Sequence, residues 1–531
     1  MLRYVTVAVE QETQALDMGG IEPAVYHRRW AILGVLVLSL VLVVAAVSSV
    51  NVAIPSIRAQ LLPTDAQMLW IVDIYAVVFA GLLLPAGALG DKFGRRGALQ
   101  LGLIVFAAAS VLSATSKSPT ALLGFRALMG VGAAFIMPST LSLLTSVFPP
   151  HERARAIAVW TGFAGAGGVI GSLVGGLALN YFWWGSVFFV SVPIAIVALV
   201  LVTTLCPSSK EAHAQPLDPL GALLSMVGFG SLLYGIIEGP EKGWGTVYPV
   251  SAFILSVAAL TGFVLWERRA VHPMLDVRFF SIPRFGAGAL GVTFTFMVTF
   301  GMFFLMAQYL QSVRGYSPLI SGVATLPFAL TMVAISPRGP KLGARFGSRR
   351  VVCTGFAIMP IALVATSFIG HRSPYAYIVM CLVLLALGPA LCIPTLSGGI
   401  VLSLPLDKAG VGSAVNDTTR EVGGAVGIAV VGSILSSHYR SGMAGPLASL
   451  PPGSGAVVSV ARRGVGALGG LVHASPPNPQ LSSLLNTAKD EFVGGMQLGF
   501  RVGAVVMVAV GLLVARWYPS AELRPQERAG H

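Results

Sequence analysis

One acidic residue interrupts the apolar stretch MLWIVDIYAVVFAGLLL, which runs from Met68 to Leu84. Asp73 is the only charged residue in this stretch. An ionised side chain in such a run costs several kcal/mol in hydrocarbon unless it is paired or hydrated. A carboxylate in this setting can bind a proton or a cation, or it can form a structural ion pair. Arg126, in another apolar run, is the base that we place at a similar depth.

Two further acids, Asp417 and Glu421, have helical spacing in a later apolar run. Residues i and i+4 lie one above the other on a helix, so both carboxylates occupy one face. Two like charges so close in a low dielectric favour protonation of one of them, which is the behaviour of a proton carrier. Arg420 lies beside them in sequence and could neutralise them, so a structural role stays open. Arg501 is the remaining basic residue well inside an apolar run.

The composition identifies lipid as the solvent around these residues. Hydrophobic residues make up 55% of the 531 residues and charged residues 10%, with a mean hydropathy of +0.81. Soluble domains carry about 25% charged residues. The four cysteines lie in or beside apolar runs without a CxxC pair, so neither a disulfide framework nor a metal site is predicted.

Fourteen apolar runs are long enough to cross a hydrocarbon core of about 30 Å as helices. The first run follows YHRRW and leads into further apolar segments, so we predict an uncleaved span. The sequence therefore predicts an all-α integral membrane protein. The predicted spans are 31–55, 68–89, 97–115, 119–146, 154–179, 184–205, 218–238, 248–266, 286–311, 317–337, 350–370, 375–399, 410–436 and 495–515.

The basic residues orient these spans. An even number of spans places both termini on one side, and most of the 34 lysines and arginines lie in the termini and loops of that side. Basic loops stay in the cytoplasm, so both termini are predicted to be cytoplasmic in a bacterial inner membrane. The basic residues behind the net charge of +13 thus indicate the orientation of the spans, and no nucleic-acid partner is predicted.

A repeated loop divides the chain into two halves. LGDKFGRR, 89–96, closes the second span, and LGARFGSR, 342–349, closes the tenth. A duplicated bundle with parallel halves produces this pattern, although two basic glycine-rich loops can also agree by chance. Because the copies are eight spans apart, where two bundles of six would place them six apart, spans seven and eight are predicted to be an insertion.

This division predicts five segments along the chain. The segment 437–494, rich in Gly, Ser, Pro, Ala and Leu, is predicted to be an extracytoplasmic flap or a partly disordered insertion, with a gating or partner-binding role as the alternative. The five segments are a cytoplasmic tail 1–30, a six-helix bundle 31–205, two inserted helices with their loops 206–270, a second six-helix bundle with the long loop 271–516, and a cytoplasmic tail 517–531.

Three glycine-rich stretches resemble those of a known transporter family. GALGDKFGRR, Gly87 to Arg96, resembles the loop between spans 2 and 3 of the major facilitator superfamily, and RALMGVGAAFIMPS, which begins at Arg126, resembles its helix 4 motif. GVIGSLVGG, Gly168 to Gly176, resembles the helix 5 pattern of its antiporters. With fourteen spans, the chain is similar to the drug:proton antiporters for quaternary ammonium compounds. The resemblance implies the major facilitator fold of two pseudo-symmetric bundles, and a monomer.

Two positions depart from the family pattern. Ser172 stands where the family places a proline in helix 5, which weakens the argument for antiport from that motif. Ala46 stands where helix 1 of the family carries an acid, which removes one candidate proton or cation site.

The loop after span 2 is predicted to be a cytoplasmic gate. Asp91 could accept backbone N–H groups at the start of a neighbouring helix, while Arg95 and Arg96 could bind carboxylates or helix C-termini. Such charges form a latch that breaks and reforms during transport; plain cytoplasmic anchoring is the alternative. The predicted gating residues are Gly87, Gly90, Asp91, Gly94, Arg95 and Arg96.

Helix 5 carries the other glycine site. Gly167, Gly171 and Gly175 recur every fourth residue, so they share one face and admit a neighbouring helix closely. The resemblance assigns them, together with Gly176, a role in bending or sealing the outer half of helix 5. Tight packing alone is the alternative.

Energy coupling is assigned to carboxylates. A P-loop ends in Gly-Lys, and neither that dipeptide nor Asp-Lys-Thr-Gly occurs in the sequence, so we predict no cofactor and no enzymatic activity. A proton gradient is then the energy source. Every histidine falls in a loop or terminus, which leaves proton coupling and cation binding to Asp73, Arg126, Asp417 and Glu421.

The predicted function is export of lipophilic, often cationic, drugs or biocides in exchange for protons by alternating access. An exporter of one defined metabolite, such as an antibiotic, siderophore or lipid, would share this machinery and stays open, as does a transporter-like sensor or assembly factor. The predicted partners are small-molecule substrates, protons and the lipid bilayer.

Aromatic residues concentrate in the ninth span. They could line an apolar cavity for a lipophilic cation, but a lipid-facing surface is the preferred interpretation. They are Phe294, Phe296, Phe300, Phe303, Phe304 and Tyr309.

Overall fold

The computed structural model describes residues 21–63, 65–208, 218–271, 273, 275–404, 408–451 and 454–520. All regular elements in this part of the chain are helices, and fourteen of them are long and apolar enough to span a membrane. Lipid offers the backbone no hydrogen-bond partner, so a chain this apolar satisfies its peptide groups within helices. The predicted all-helical, fourteen-span membrane fold is confirmed.

The spanning helices are labelled α1 to α14 in chain order. Two of them contain short interruptions, α6 near Val190 and α10 near Thr325. Their bounds are α1 Pro23–Leu61, α2 Asp65–Phe93, α3 Arg95–Ala114, α4 Pro119–Val147, α5 Pro150–Tyr181, α6 Ser186–Leu205, α7 Pro219–Lys242, α8 Val247–Glu267, α9 Pro283–Gln308, α10 Leu319–Phe346, α11 Ser348–Thr366, α12 Tyr375–Leu402, α13 Ala409–Ala448 and α14 Pro479–Trp517.

The predicted tails lie mostly outside the described residues. Of the N-terminal tail only 21–30 is described, and α1 already begins at Pro23 within it. Of the C-terminal tail only 517–520 is described.

Two groups of six helices form separate hydrophobic cores. The first, α1 to α6, buries residues such as Leu36 and Met129, and the second, α9 to α14, buries Met302, Leu382 and Met496. The groups meet where α5 packs against α10 and α12, and where α13 packs against α2 and α4. Residues at these contacts therefore link the two halves.

The two extra helices, α7 and α8, pack against each other and contact both halves. The rings of Trp70 on α2 and Tyr234 on α7 stack with centroids 5.3 Å apart. The Trp244 Nε1–H, after α7, donates to Ser433 Oγ on α13 at 3.1 Å. The inserted pair therefore lies beside the place where α2 and α13 meet.

The repeated loops form the same turn. Gly94 separates α2 from α3 with φ of 108°, and Gly347 separates α10 from α11 with φ of 91°. This left-handed region favours glycine because a side chain would be strained there. The repeats differ in charge, because Ala344 and Ser348 occupy the places of Asp91 and Arg95.

The segment 437–494 is more helical than predicted. α13 continues to Ala448, α14 begins at Pro479, and Gly455–Arg463 and Val465–Ala474 form two short helices between them. The Tyr439 hydroxyl donates to the Ala461 carbonyl oxygen at 2.9 Å, which fixes the first short helix to α13. The described part of this segment is thus packed helix, where a flap or a partly disordered insertion was predicted. Tertiary contacts compensate for the low helix propensity of a Gly- and Ser-rich stretch.

Candidate functional site

Arg126 on α4 is fully buried against the backbone of α2. Its Nε–H donates to the Ile71 carbonyl oxygen at 3.0 Å, and Nη2 donates to the Val72 carbonyl oxygen at 3.1 Å. The guanidinium also interacts electrostatically with Asp73. The helix 4 arginine is thus bound to the turn of α2 that carries the first acid.

Tyr75 of α2 connects this arginine to α1. The Arg126 guanidinium lies 4.6 Å from the centre of the Tyr75 ring. The Tyr75 hydroxyl donates to the Val43 carbonyl oxygen of α1 at 3.1 Å. The arginine of α4 is therefore enclosed by α2, and the ring that covers it is held by α1.

Asp417 is enclosed within α13 and its neighbours. Its Oδ1 accepts from Arg420 Nη1 at 3.3 Å and from Asn416 Nδ2 at 3.4 Å. Its Oδ2 is buried and finds no donor among the described residues. Glu421, one turn further on, is half-buried, as is Asp73. Asp417 is therefore the most enclosed of the three acids.

Arg420 points to the contact between the two halves. Its guanidinium carbon lies 4.6 Å from the centre of the Phe296 ring on α9 and 5.6 Å from that of the Trp160 ring on α5. An aromatic face attracts a cation most strongly where water is excluded. The sequence alone did not identify Trp160 or Phe296 as partners of this charge.

Close packing brings α13 against α9. A Cβ added at Gly423 or Gly427 would contact the backbone carbonyl oxygens of Thr293 or Met297. Small residues one turn apart allow helix backbones to approach closely. The GGAVG pattern beginning at Gly423 carried this signal, and sequence reasoning missed it.

Two expectations from the sequence need correction. Arg501 is exposed on the surface of α14, so it does not belong to the buried charges. The six aromatic residues of the ninth span and its end are all buried or half-buried, so the lipid-facing interpretation was wrong. The physical reason is the close α9–α13 contact, which turns Phe296 and Phe300 towards α13.

Asp91 joins the two halves on the predicted cytoplasmic side. Its Oδ1 accepts from Arg95 Nε at 3.0 Å, and its Oδ2 accepts the backbone N–H of Val411 at 3.2 Å. Val411 lies in the first turn of α13, where backbone N–H groups lack helical partners. A carboxylate at a helix N-terminus is favoured by the helix dipole as well.

Arg96 holds the end of α6. Its Nη1 and Nη2 donate to the carbonyl oxygens of Cys206 and Thr203, the first at 3.1 Å. The remaining gate glycines are buried or half-buried; Gly94 provides the turn, and Gly90 lies near Ser139 of α4. The two neighbouring arginines therefore have different partners.

The α5 glycines lie in two different contacts. A Cβ added at Gly167 would lie 2.8 Å from Val44 Cβ of α1. One added at Gly175 would lie 3.0 Å from Ser49 Cα, and one at Gly171 would meet the backbone of Ala45, both also on α1. Gly176 faces Leu319 at the start of α10, in the other half.

A small cavity of about 60 Å³ lies between Ser172 of α5, Phe303 of α9 and Thr325 of α10. Residues of both halves therefore line this cavity.

The five charged side chains of the candidate site carry one more negative than positive charge when all are ionised. Asp73, Asp417 and Glu421 provide three acids, and Arg126 and Arg420 provide two bases. An uncompensated negative charge is costly away from water.

Two helical bundles that meet around buried charges define a secondary transporter. The model of the Major Facilitator Superfamily matches residues 36–428. The chain belongs to the Major Facilitator Superfamily.

Relatives of known name cover nearly the whole chain. The multidrug efflux pump LfrA of Mycolicibacterium smegmatis is 33% identical over 490 residues, which are 92% of this chain and 96% of that protein. The tetracenomycin C resistance and export protein of Streptomyces glaucescens is 32% identical over 507 residues, 94% of this chain and 93% of its own length. The solved structure of the human organic anion transporter MFSD10 (TETRAN) has the same fold, with a TM-score of 0.60 at 15% identity over 93% of this chain and 100% of that chain.

Replacing Gly171 by alanine should destabilise the α1–α5 contact. The added methyl group would meet the backbone of Ala45, which cannot move independently of α1. Overpacking of this kind costs about 1–3 kcal/mol, so the melting temperature of the purified protein in detergent should fall. Gly168→Ala, where the added Cβ meets nothing within 4 Å, should retain it. Equal melting temperatures of the two variants would contradict the close contact.

Replacing Asp91 by alanine should loosen the cytoplasmic latch. Losing a helix-capping carboxylate costs about 1 kcal/mol, which raises the population of an opened state roughly fivefold. Ser413→Cys, at a buried position of α13, provides the reporter, and its rate of maleimide labelling should rise by that factor. Lys92→Gln is the control, since that ammonium lies over the ring of its own neighbour Phe93. An unchanged rate in Asp91→Ala would show that the latch does not hold the halves together.

Proposed function

We propose that this protein exports lipophilic, often cationic, drugs across a bacterial cytoplasmic membrane in exchange for protons. The observation that carries the proposal is the set of three acids and two bases where the two halves meet. One proton or one substrate cation neutralises this set, so binding of one excludes the other.

Competition for the carboxylates couples the two movements. A cation from the cytoplasm binds while one acid of the set is ionised. A proton that arrives from outside then neutralises that acid and releases the cation. Loss of the proton to the cytoplasm restores the binding form, so the proton gradient drives export.

The half-buried acids Asp73 and Glu421 are the proposed entry points for the proton and the cation. Asp417 is more enclosed and already receives a hydrogen bond from Arg420, so it exchanges a proton less readily than the other two acids. Arg126, bound to the α2 backbone, holds the turn that carries Asp73.

Alternating access requires contacts that break on one side while the other side closes. On the cytoplasmic side the proposed contact is Asp91 with the start of α13, a single carboxylate between the halves. On the outer side it is the α5–α10 contact through Gly176 and Leu319.

The remaining features follow from this assignment. The basic loops support cytoplasmic termini. The protein is proposed to act as a monomeric transporter without an enzymatic step, with small molecules, protons and lipid as its partners.

A dedicated metabolite exporter is the second candidate. The match to the tetracenomycin C resistance and export protein favours it, because that relative is named for one compound. The LfrA match favours the broader substrate range. Accumulation assays with cationic dyes, biocides and neutral antibiotics in a pump-deficient host separate the two candidates.

Asp73→Asn and Asp417→Asn should each abolish proton-driven export. An asparagine keeps the shape of the side chain but can neither release a proton nor balance a cation. Export is measured as uptake of a fluorescent lipophilic cation into everted membrane vesicles energised to an acidic interior. The expected loss exceeds roughly tenfold, because one removed charge partner in a low dielectric changes binding by more than about 1.4 kcal/mol.

Glu22→Gln is the matched control, since Glu22 is exposed before the start of α1. Wild-type uptake by both aspartate variants would refute the assignment. Loss of uptake in the control as well would indicate a general defect in expression or folding.

A further inference from the structure

An organic cation is already present where the two halves of this protein meet, and it belongs to the protein itself. The guanidinium of Arg420 lies over Phe296 on one side of the interface and Trp160 on the other, at 4.6 Å and 5.6 Å. Arg420 is 2% exposed. Two aromatic faces and a carboxylate around a flat cation form the kind of site that binds lipophilic ammonium and aromatic cations.

The two rings have supports that do not depend on Arg420. The Trp160 Nε1–H donates to Thr140 Oγ1 on α4 at 3.2 Å. Phe296 packs edge to face with Phe300, with centroids 5.6 Å apart. The rings are therefore positioned by their own halves of the molecule and would remain available to another cation.

The hydrogen bonding of Arg420 is incomplete for a buried guanidinium. This group has five N–H donors. Its hydrogen bond to Asp417 Oδ1 is long, at 3.3 Å, and its Nε is buried without an acceptor among the described residues. Asp417 Oδ2 likewise has no donor in the described part of the chain. The pair is held less firmly than a bidentate arginine–carboxylate pair.

We propose that Arg420 is a tethered competitor of the substrate. In the absence of substrate its guanidinium occupies the cation site between Trp160, Phe296 and Asp417. A lipophilic monovalent cation binds there by displacing the guanidinium, and it takes over both the aromatic faces and the carboxylate. This inference rests on the proposed function and names the substrate class and the atoms that bind it.

The competitor would set both affinity and selectivity. If the cation site is open only for a fraction of the time, the apparent affinity of a substrate falls by that fraction. A flat or aromatic cation can replace the guanidinium between the rings, whereas a small hydrated cation gains little from them. The protein would therefore bind flat lipophilic cations while excluding compact ones, and release them readily outside.

Equilibrium binding of ethidium, a planar aromatic monovalent cation, to the purified full chain tests this proposal. Arg420→Gln should bind the probe roughly tenfold more tightly than wild type, because the competitor is gone. Arg501→Gln is the control, since it removes an arginine that is exposed on α14 and should leave the affinity unchanged. Tetramethylammonium, a compact cation, should show a much smaller gain.

A double-variant cycle separates displacement from simple electrostatics. If Arg420→Gln acts only by removing a positive charge, its gain persists when Trp160 is replaced by leucine. Under the proposal the gain disappears in Trp160→Leu, because the ring that the probe would occupy is missing. Persistence of the full gain, or unchanged or weaker binding by Arg420→Gln, overturns the proposal.

Arg420→Lys covers the case in which Arg420→Gln does not fold. It keeps the charge but replaces the planar group that stacks on the rings, so the probe should still bind several-fold more tightly than to wild type. Affinity equal to or below that of the wild type overturns the proposal by this route.

The proposed function fails separately from this inference. If wild-type protein in liposomes binds ethidium but a pH gradient does not move it, the exporter proposal fails while the binding results still decide the role of Arg420. If pH-driven transport is present and Arg420→Gln binds no more tightly, the inference alone fails.

Discussion

The Arg420 guanidinium and the Asp417 carboxylate lie 3.3 Å apart in a part of the protein that water scarcely reaches. Separating them would leave two uncompensated charges in a low dielectric, which costs several kcal/mol. Both residues lie on α13, and the guanidinium extends from that helix to Phe296 on α9 and Trp160 on α5. The glycines of α13 allow α9 to approach to backbone contact, which places Phe296 beside the guanidinium. A cation that replaced the guanidinium at Asp417 would remove part of the cost of separating the pair.

The contacts between the halves differ in strength according to their chemistry. Within the first half, α1 and α5 pack through glycines against backbone atoms, a contact that changes little without separation of the helices. Between the halves, the Asp91 carboxylate accepts the backbone N–H of Val411, and Gly176 packs against the backbone of Leu319. Rigid bundles joined by weaker contacts can move as bodies, which is how this superfamily fold supports alternating access.

The duplicated loops show how symmetry and asymmetry are combined. Both copies use a glycine with positive φ to turn one helix into the next. Only the first copy carries the Asp91–Arg95 pair, since alanine and serine occupy those places in the second. The inserted helices add a further asymmetry. They lie beside the contact of α13 with α2, which α7 joins, and not beside the contact of α5 with α10 and α12. The two copies of the loop thus share their backbone turn and differ in charge.

The sequence by itself determined the number of helices, the membrane class, the repeat and the buried acids. These follow from local properties: the length of an apolar run, the absence of water in lipid, and the cost of a charge there. Family resemblance added the prediction that the loop after span 2 is a gate.

Only the tertiary structure decided which residues meet. The sequence could not place Trp160 beside Arg420, because they are far apart along the chain and come together only when α5 packs near α13. The same limit applies to Arg501, since the length of an apolar run cannot show which side of a helix is exposed. It also applies to the short helices of 454–474, which are held by contacts such as that of Tyr439 with Ala461. Partner choice is a property of three-dimensional packing, and the pattern along one helix records only that a face is apolar, small or charged.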